Sequence, residues 1–420
     1  MKIYRVNQVF VPGGMPEHTF IERVEKSIKS RLESAQDNLC KLVTLTGQTK
    51  SGKTVLTKRV YPDTVEGVVW IEGGSISSES DLWNQIIEAT LMWTTVEEQS
   101  EDSKGAEVSG DFEAEANALL IKGKGKLGGK LLGSRSSVKT FSRNLSSKAS
   151  ALKHLQENSI ALVIDDFHYL ERNLQGSVVR ALKPLVFKGY PVILIAIPHR
   201  RFDAVKVERE ITGRIENISV PYWSNAELKE IPKVGYPLLN IKVDDKVIDT
   251  FAREAQGSPH LMQEFCRELC HSNGISQTTE NTIIIDNVSN DLFIRVAEGT
   301  GRVIYDKLAT GPRQRSDRIL RKMKDGSSVD IYKVILRALS HLKPGMDTIP
   351  YDQIRAAIRE VLIDNIPQAH EVSRVLEKMS KIAYSDEAST PVLDWEKEEQ
   401  ILHVTDPFFA FYLKWGTQAV

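Results

Sequence analysis

Short apolar runs alternate with helix-period segments through the first half of this chain. The runs Lys41–Thr46, Gly67–Glu72, Ile160–Asp165, Pro191–Ile197 and Arg214–Val220 predict strands. Between them, Val55–Val60, Asp81–Trp93 and Leu174–Phe187 carry apolar residues at helical spacing, and residues 17–34 place Ile21, Val24, Ile28 and Leu32 on one helix face. A strand that is apolar at successive positions, rather than at alternate ones, is covered on both faces. Such strands alternating with helices predict an α/β unit built on a parallel sheet. From Asn225 onward the period is helical, with two helices expected around Gly257-Ser258-Pro259-His260 within residues 244–272. Three more helical patterns, Ile331–Leu342, Tyr351–Leu362 and Gln368–Ile382, precede a stretch with hairpin character at Tyr384–Val404.

Three helices and a hairpin make a winged-helix arrangement. The expected units are therefore an α/β domain over 1–220, a helical lid over 221–300, a basic connector over 301–330 and a winged helix over 331–420. Residues 96–150 break the first alternation. Their first half is acidic, from Glu97 to Glu115, and their second half is basic, from Lys122 to Lys148, with Gly123, Gly125, Gly128, Gly129 and Gly133 interrupting regular structure. This stretch reads as an inserted β-hairpin or arm.

Composition sets bounds without choosing a function. The 420 residues are 41% hydrophobic and 26% charged, the profile of a soluble globular chain with room for two or three domains. A net charge of −1 gives no global attraction to nucleic acid or to an anionic membrane, so any such contact needs a local patch. The most apolar run, Val192–Ile197, is too short to span a bilayer, and MKIYRVNQVFVPGG lacks the apolar core of a secretory leader. Cys40, Cys266 and Cys270 cannot make a disulfide framework, so a reducing, cytoplasmic setting is expected.

Chemistry enters with Gly47-Gln48-Thr49-Lys50-Ser51-Gly52-Lys53-Thr54, which fits the phosphate-binding pattern G-x-x-x-x-G-K-[ST]. Its glycines allow a tight turn whose N–H groups face phosphate oxygens. Lys53 is placed to reach the β- and γ-phosphates, and the Thr54 hydroxyl to hold Mg²⁺. The loop sits between a predicted strand and a predicted helix starting near Val55, so the helix's positive end faces the phosphates. Downstream, the apolar strand Ala161–Ile164 ends in Asp165-Asp166. Carboxylates at the carboxyl end of a parallel strand meet ligands at the sheet edge. Asp165 is expected beside the Mg²⁺ and Asp166 beside the attacking water.

With these motifs in place, the chain resembles the additional-strand branch of P-loop ATPases that includes AAA+ and STAND proteins. One strand intervenes between the phosphate loop and the Asp165-Asp166 strand, and another follows at Pro191–Ile197. The lid segment Gly257-Ser258-Pro259 is similar to the lid motif of STAND and replication-origin-type ATPases. His18-Thr19-Phe20-Ile21-Glu22-Arg23 resembles their N-terminal box beside the adenine. The ending Val404-Thr405-Asp406-Pro407-Phe408-Phe409-Ala410-Phe411-Tyr412-Leu413 resembles the close of the winged helix in prokaryotic STAND-like ATPases. The resemblance implies His199 as a γ-phosphate sensor, although Asn or Thr is commoner there. It implies Arg214, or else Arg209, as an arginine finger acting on a neighbouring subunit. Pro259 and His260 fall in the second-sensor region, where relatives often have Arg. The expected function is an ATP- and Mg²⁺-dependent ATPase that turns over slowly and acts as a switch. It assembles as a homo-oligomer or engages a protein effector, as in anti-phage defence. The competing reading is a DNA-binding loader or transposition-regulator ATPase that grips duplex through residues 313–324 and the winged helix.

Two weaker signals are set aside. Gly123-Lys124-Gly125-Lys126-Leu127-Gly128 matches G-x-G-x-x-G but lacks the preceding strand that a dinucleotide fold needs. Cys266, Cys270 and His271 cluster without a second ligand pair, which favours buried thiols over zinc.

Overall fold

The computed structural model of the chain describes residues 2–37, 39–63, 67–90, 146–197, 213–312, 318–343, 345–384 and 391–419. The α/β unit holds a five-stranded sheet of β1 (Leu42–Gly47), β2 (Val68–Glu72), β3 (Ala161–Asp165), β4 (Val192–Ala196) and β5 (Ile215–Val220). Their spatial order is β2-β3-β4-β1-β5, and every pairing is parallel. Burial follows position in that order. The three inner strands are buried at every residue, while β2 and β5 at the edges are only partly so. Helices α3 (Lys53–Val60), α4 (Glu79–Ala89), α5 (Ser147–Glu157) and α6 (Arg172–Phe187) accompany the strands. Leu82, Ile86, Leu155, Val178 and Leu182 pack against Leu162, Ile164 and Leu194 on one face of the sheet.

The parallel α/β core matches the expectation from the apolar runs, with strand ends within a residue or so. The N-terminal segment departs from it. After the short α1 (Val6–Val9), residues 17–34 form a helix only at α2 (Ile28–Glu33), preceded by a 3₁₀ turn at Val24–Lys26. Ser27 adopts a left-handed conformation at φ 51° and stops the helix from running back. Ile28 and Leu32 are buried as the periodicity requires, whereas residues 17–23 run as open chain.

The helical unit begins after β5. It contains α7 (Asn225–Leu238), α8 (Asp245–Glu254), α9 (Pro259–Ser272) and α10 (Asn290–Thr300), with a small parallel pair, β6 (Ile241–Val243) and β7 (Ile283–Ile285). Capping is explicit in the sequence: Ser224 and Glu227 form a capping box on α7, and Ser258 precedes Pro259 at the start of α9.

The stretch expected as a connector contains α11 (Arg302–Thr310) and the hairpin pair β8 (Arg321–Lys322) and β9 (Ser328–Val329). Leu308 and Ala309 of α11 are buried in the C-terminal core, so this stretch belongs to that core and does not simply link two units. The basic side chains here hid an amphipathic helix. The C-terminal unit continues with α12 (Ile331–Leu342), α13 (Tyr351–Val361) and α14 (Ala369–Tyr384). An antiparallel sheet β10-β12-β11 joins Thr348–Pro350, Leu393–Glu396 and Ile401–Val404, taking β10, β11 and β12 in chain order.

The last helix, α15 (Pro407–Trp415), reads PFFAFYLKW and is buried almost all round. Phe409, Ala410 and Leu413 enter the C-terminal core, while Phe411, Tyr412 and Trp415 enter the core of the helical unit. A helix apolar on every side needs partners on every side. Here it fuses two units. Buried Glu254 of α8 reinforces the join by accepting from Lys414 Nζ and Trp415 Nε1, both at 2.7 Å.

The arm expected over 96–150 lies outside the described residues except for its last five, where α5 begins. His199, Arg209 and residues 313–317 also lie outside them.

Candidate functional site

The site is built at the carboxyl end of β1. Gly47 ends the strand, and a Cβ there would lie 2.6 Å from the Val220 carbonyl and 3.0 Å from Ser51 Oγ, so no larger residue fits. Gly52 turns the chain into α3 with φ 91°, a region that favours glycine. Between them the loop closes on Lys53. This side chain is buried, and its Nζ donates to the carbonyls of Gly47 and Gln48, each at 2.9 Å. Burial pushes its pKa down to about 8, opposed by the pull of Asp166 and Asp165. Val55 follows on the first turn of α3 and joins the wall of the cavity above the loop.

The acidic element comes from β3. The sheet order sets β4 between β1 and β3, so their backbones stand about 10 Å apart. Side chains close the gap: Thr54 Oγ1 donates to Asp165 Oδ2 at 2.8 Å. The other Asp165 oxygen accepts the Asp166 backbone N–H at 2.8 Å. Asp166 takes a left-handed conformation at φ 50°, which ends the strand abruptly. Burial, followed by the adjacent Asp165 charge, raises the Asp166 pKa to about 6. A carboxylate tuned in that direction is a better proton acceptor near neutral pH than an ordinary aspartate.

The residues fit a triphosphate and Mg²⁺. Among the described residues, Thr49 Oγ1 and Ser51 Oγ are buried without a hydrogen-bond partner. Buried hydroxyls are normally satisfied, and phosphate oxygens in the loop would satisfy these. No group of three or more His, Cys, Asp or Glu converges on a metal position among the described residues. Mg²⁺ does not need one, since it is held by one or two protein oxygens together with phosphates and water. Thr54 and Asp165 supply that kind of partial set.

A cavity of about 760 Å³ opens over the loop, within the range of small-molecule sites. Its walls come from every unit. Lys50, Lys53, Thr54 and Asp166 form the floor; Gly13, Phe20 and Arg23 come from the N-terminal segment; Pro259, His260 and Gln263 from α9; and Asp406 and Phe408 from the start of α15. Gln263 fastens the N-terminal segment to α9. Its Nε2 donates to Thr19 Oγ1 at 2.8 Å and its Oε1 accepts from the Val11 N–H at 3.1 Å.

His260 stands 4.7 Å from Phe408, ring to ring and edge-on. Burial and the nearby Lys50 and Arg267 cations push its pKa down to about 4, so it is neutral at physiological pH. Lys50, in the middle of the phosphate loop, holds its ammonium 5.3 Å from the centre of the same Phe408 ring. Buried Asp406, which caps α15 through the Phe409 N–H at 2.9 Å, also feels the Lys50 charge.

The structure thus brings together Gly47, Gln48, Thr49, Lys50, Ser51, Gly52, Lys53, Thr54, Val55, Asp165, Asp166, Pro259 and His260. It does not bring Arg214 to them. The Arg214 carbonyl accepts from the Leu42 N–H at 2.8 Å, at the opposite end of β1, about 16 Å along the strand from Gly47. Its guanidinium is exposed and stacks 3.6 Å from the centre of the Phe187 ring. Any action of Arg214 on a phosphate has to be on another molecule's. Sequence reasoning missed Trp223, Gln263 and the Lys50–Phe408 contact. The Asp406-Pro407-Phe408 segment had been noticed, but as a terminal signature, with nothing in the residue spacing to place it on the loop.

No family model matches the chain. Among solved structures it is similar to a Walker-type ATPase of Pyrococcus abyssi, at 18% identity and TM-score 0.52 over 94% of this chain and 96% of that one. The strand order and the loop at the end of β1 agree with that likeness. The chain has the fold of a Walker-type ATPase. Lower-scoring matches include Cdc6p from Pyrobaculum aerophilum (12% identity, 98% of each chain, TM-score 0.41). Another is the Orc1 protein of Aeropyrum pernix in complex with DNA (12% identity, 100% of this chain and 99% of that one, TM-score 0.44). Among the described residues no helix of this Walker-type fold is long and apolar enough to cross a membrane.

Proposed function

We propose that the chain is an ATP-binding, Mg²⁺-dependent ATPase that works as a nucleotide-governed switch. The observation that carries this reading is the composition of the cavity wall: the phosphate loop, α9 and the start of α15 all face one volume. A ligand filling that volume touches units that can move relative to one another. It then shifts their arrangement by as much as its affinity differs between arrangements.

The loop amides and Lys53 hold the β- and γ-phosphates, and the Thr49 and Ser51 hydroxyls gain the acceptors they lack. Thr54 and Asp165 hold Mg²⁺, which when bound neutralises developing charge on the phosphates. Asp166 orients the attacking water and accepts its proton. Asp is one methylene shorter than Glu, which fits slow turnover and a switching role. Because α15 is buried in both cores, the helical and C-terminal units move as one body against the α/β unit. Arg214, exposed on the far edge of the sheet, is available to a second copy in an ATP-dependent assembly. The C-terminal unit, with three helices and a three-stranded antiparallel sheet, is read as a winged helix that presents this movement to a protein effector. Anti-phage defence is the setting that the resemblance suggests.

Sizing of the full chain with and without ATP·Mg²⁺ tests the switch. A nucleotide-dependent change in mass or hydrodynamic radius supports it, and identical profiles at saturating nucleotide sink it. A DNA-gripping role draws on the winged-helix architecture, and three of the described basic residues near it are already engaged. Arg318 pairs with Asp330 at 2.5 Å, Arg321 with Glu371 at 3.3 Å and Lys324 with Glu360 at 3.7 Å. Salt-dependent duplex binding lost on changing Arg313, Arg315 and Arg318 would favour that role over the switch.

A further inference from the structure

Trp223 sits between the last strand of the α/β sheet and the first helix of the helical unit. Its indole Nε1 donates to the Ser51 carbonyl at 3.0 Å. That carbonyl and the Gly52 N–H belong to one planar trans peptide, so they point in opposite directions. Fixing the carbonyl toward Trp223 therefore fixes the Gly52 N–H away from it. The residue that follows the peptide is glycine at φ 91°, with nothing within 4 Å of the position a Cβ would take. Local sterics do not hold this peptide, because glycine populates both signs of φ.

Trp223 is itself clamped. The Arg23 guanidinium lies 5.1 Å from the indole centre. Arg23 pairs with Glu227 through Nε at 2.7 Å and donates to the Pro221 carbonyl at 2.9 Å and the Tyr222 carbonyl at 3.1 Å. Glu227 is the reciprocal capping residue of α7, accepting from the Ser224 N–H at 2.7 Å. The Trp223 N–H donates to the Gly257 carbonyl at 3.2 Å, just before α9. A continuous set of bonds thus runs from the caps of the helical unit to one peptide of the phosphate loop.

We propose that Trp223 is a positioning residue that locks the Ser51–Gly52 peptide in its phosphate-binding orientation and releases it when the helical unit moves. This rests on the nucleotide-binding reading above and adds the element through which the helical unit controls the loop. Trp223→Phe keeps an aromatic ring and removes the donor. Calorimetric titration of ATP·Mg²⁺ into the full chain is expected to give a Kd about fivefold weaker than wild type, the size of one lost hydrogen bond. The melting temperature without nucleotide is expected to fall by only a few degrees, the size of that one bond, whereas a general packing role would cost considerably more. ATP·Mg²⁺ is also expected to shift the tryptophan emission of the wild type but not that of Trp223→Phe, although five other tryptophans remain in the chain.

Glu227→Gln supplies a second arm if the Phe variant does not fold. Glutamine preserves the capping box and removes the charge that holds Arg23 on the indole, so a roughly twofold weaker Kd is expected. Wild-type affinity in both variants, or an emission shift that survives in Trp223→Phe, would overturn the proposal while leaving nucleotide binding intact. Absence of ATP binding by wild type would overturn both.

Discussion

Phe408 is the point where the C-terminal unit touches the phosphate loop, and its removal should loosen the whole upper body. The ring receives the Lys50 ammonium at 5.3 Å and the edge of neutral His260 at 4.7 Å. A cation–π contact at a partly buried site contributes about 1 kcal/mol. His260 lies on α9, in the same body that α15 is welded into, so only the Lys50 contact crosses to the α/β unit, and Phe408→Ala should weaken closure by about 1 kcal/mol. That is roughly a fivefold change in the ratio of closed to open forms. Stopped-flow release of a fluorescent ADP analogue reads this ratio, because nucleotide leaves through the open form. Release should speed up by about fivefold, and protease sensitivity near Pro221–Ser224 should rise. Phe408→Leu, which keeps apolar bulk without the ring quadrupole, should fall between. Release at the wild-type rate in Phe408→Ala, with the protein folded, would refute the argument that this contact holds the cavity shut.

Further outcomes follow from the same geometry. Lys53→Ala should abolish measurable ATP binding and phosphate release, seen by calorimetry and a coupled assay, because Lys53 is the buried cation on which the loop closes. Asp165→Asn should leave the fold intact but remove the Mg²⁺ stimulation of nucleotide affinity, since it removes the carboxylate that Thr54 touches at 2.8 Å. His260 links stability to pH. Its folded pKa of about 4 lies below the ordinary 6.5, so the unfolded chain takes up a proton first as pH falls. The stability present above pH 6.5 should drop by about 2 kcal/mol by pH 5, and His260→Leu should flatten that slope in urea titrations. Phe265 is fully buried among Phe251, Phe293 and Phe411 at ring distances of 5.1 to 5.5 Å. Phe265→Ala should cost about 4 kcal/mol in chemical unfolding.

How far the sequence reaches depends on the range of each interaction. The inner strands were legible because burial on both faces leaves no polar positions, as in Leu162-Val163-Ile164. The phosphate loop was legible because its chemistry is local: Gly47, Gly52 and Lys53 work within one turn. Asp165 was found because a strand delivers its last residue to the sheet edge. The Ser27 break was missed, since a left-handed serine leaves no signature in a run whose apolar spacing looks helical. The helix Arg302–Thr310 was hidden by the basic residues of the stretch around it, although Leu308 and Ala309 mark its buried side. Trp223 and Phe408 were missed for a different reason. Their partners, Ser51 and Lys50, lie far away along the chain, and no spacing rule reaches between units. His260 was placed by resemblance alone, and only the structure shows it as a neutral ring against Phe408.

The central claim is that the phosphate loop, Lys53 and the Thr54–Asp165 pair form the floor of a nucleotide site enclosed by three units. Isothermal titration of ATP with Mg²⁺ into the full chain, beside Lys53→Ala, measures it most directly. One site per chain, weakened when Mg²⁺ is withheld and absent in the variant, is the result the account predicts. A well-folded wild-type chain that takes up no ATP at millimolar concentration, or a Lys53→Ala variant that binds as tightly as wild type, would contradict it.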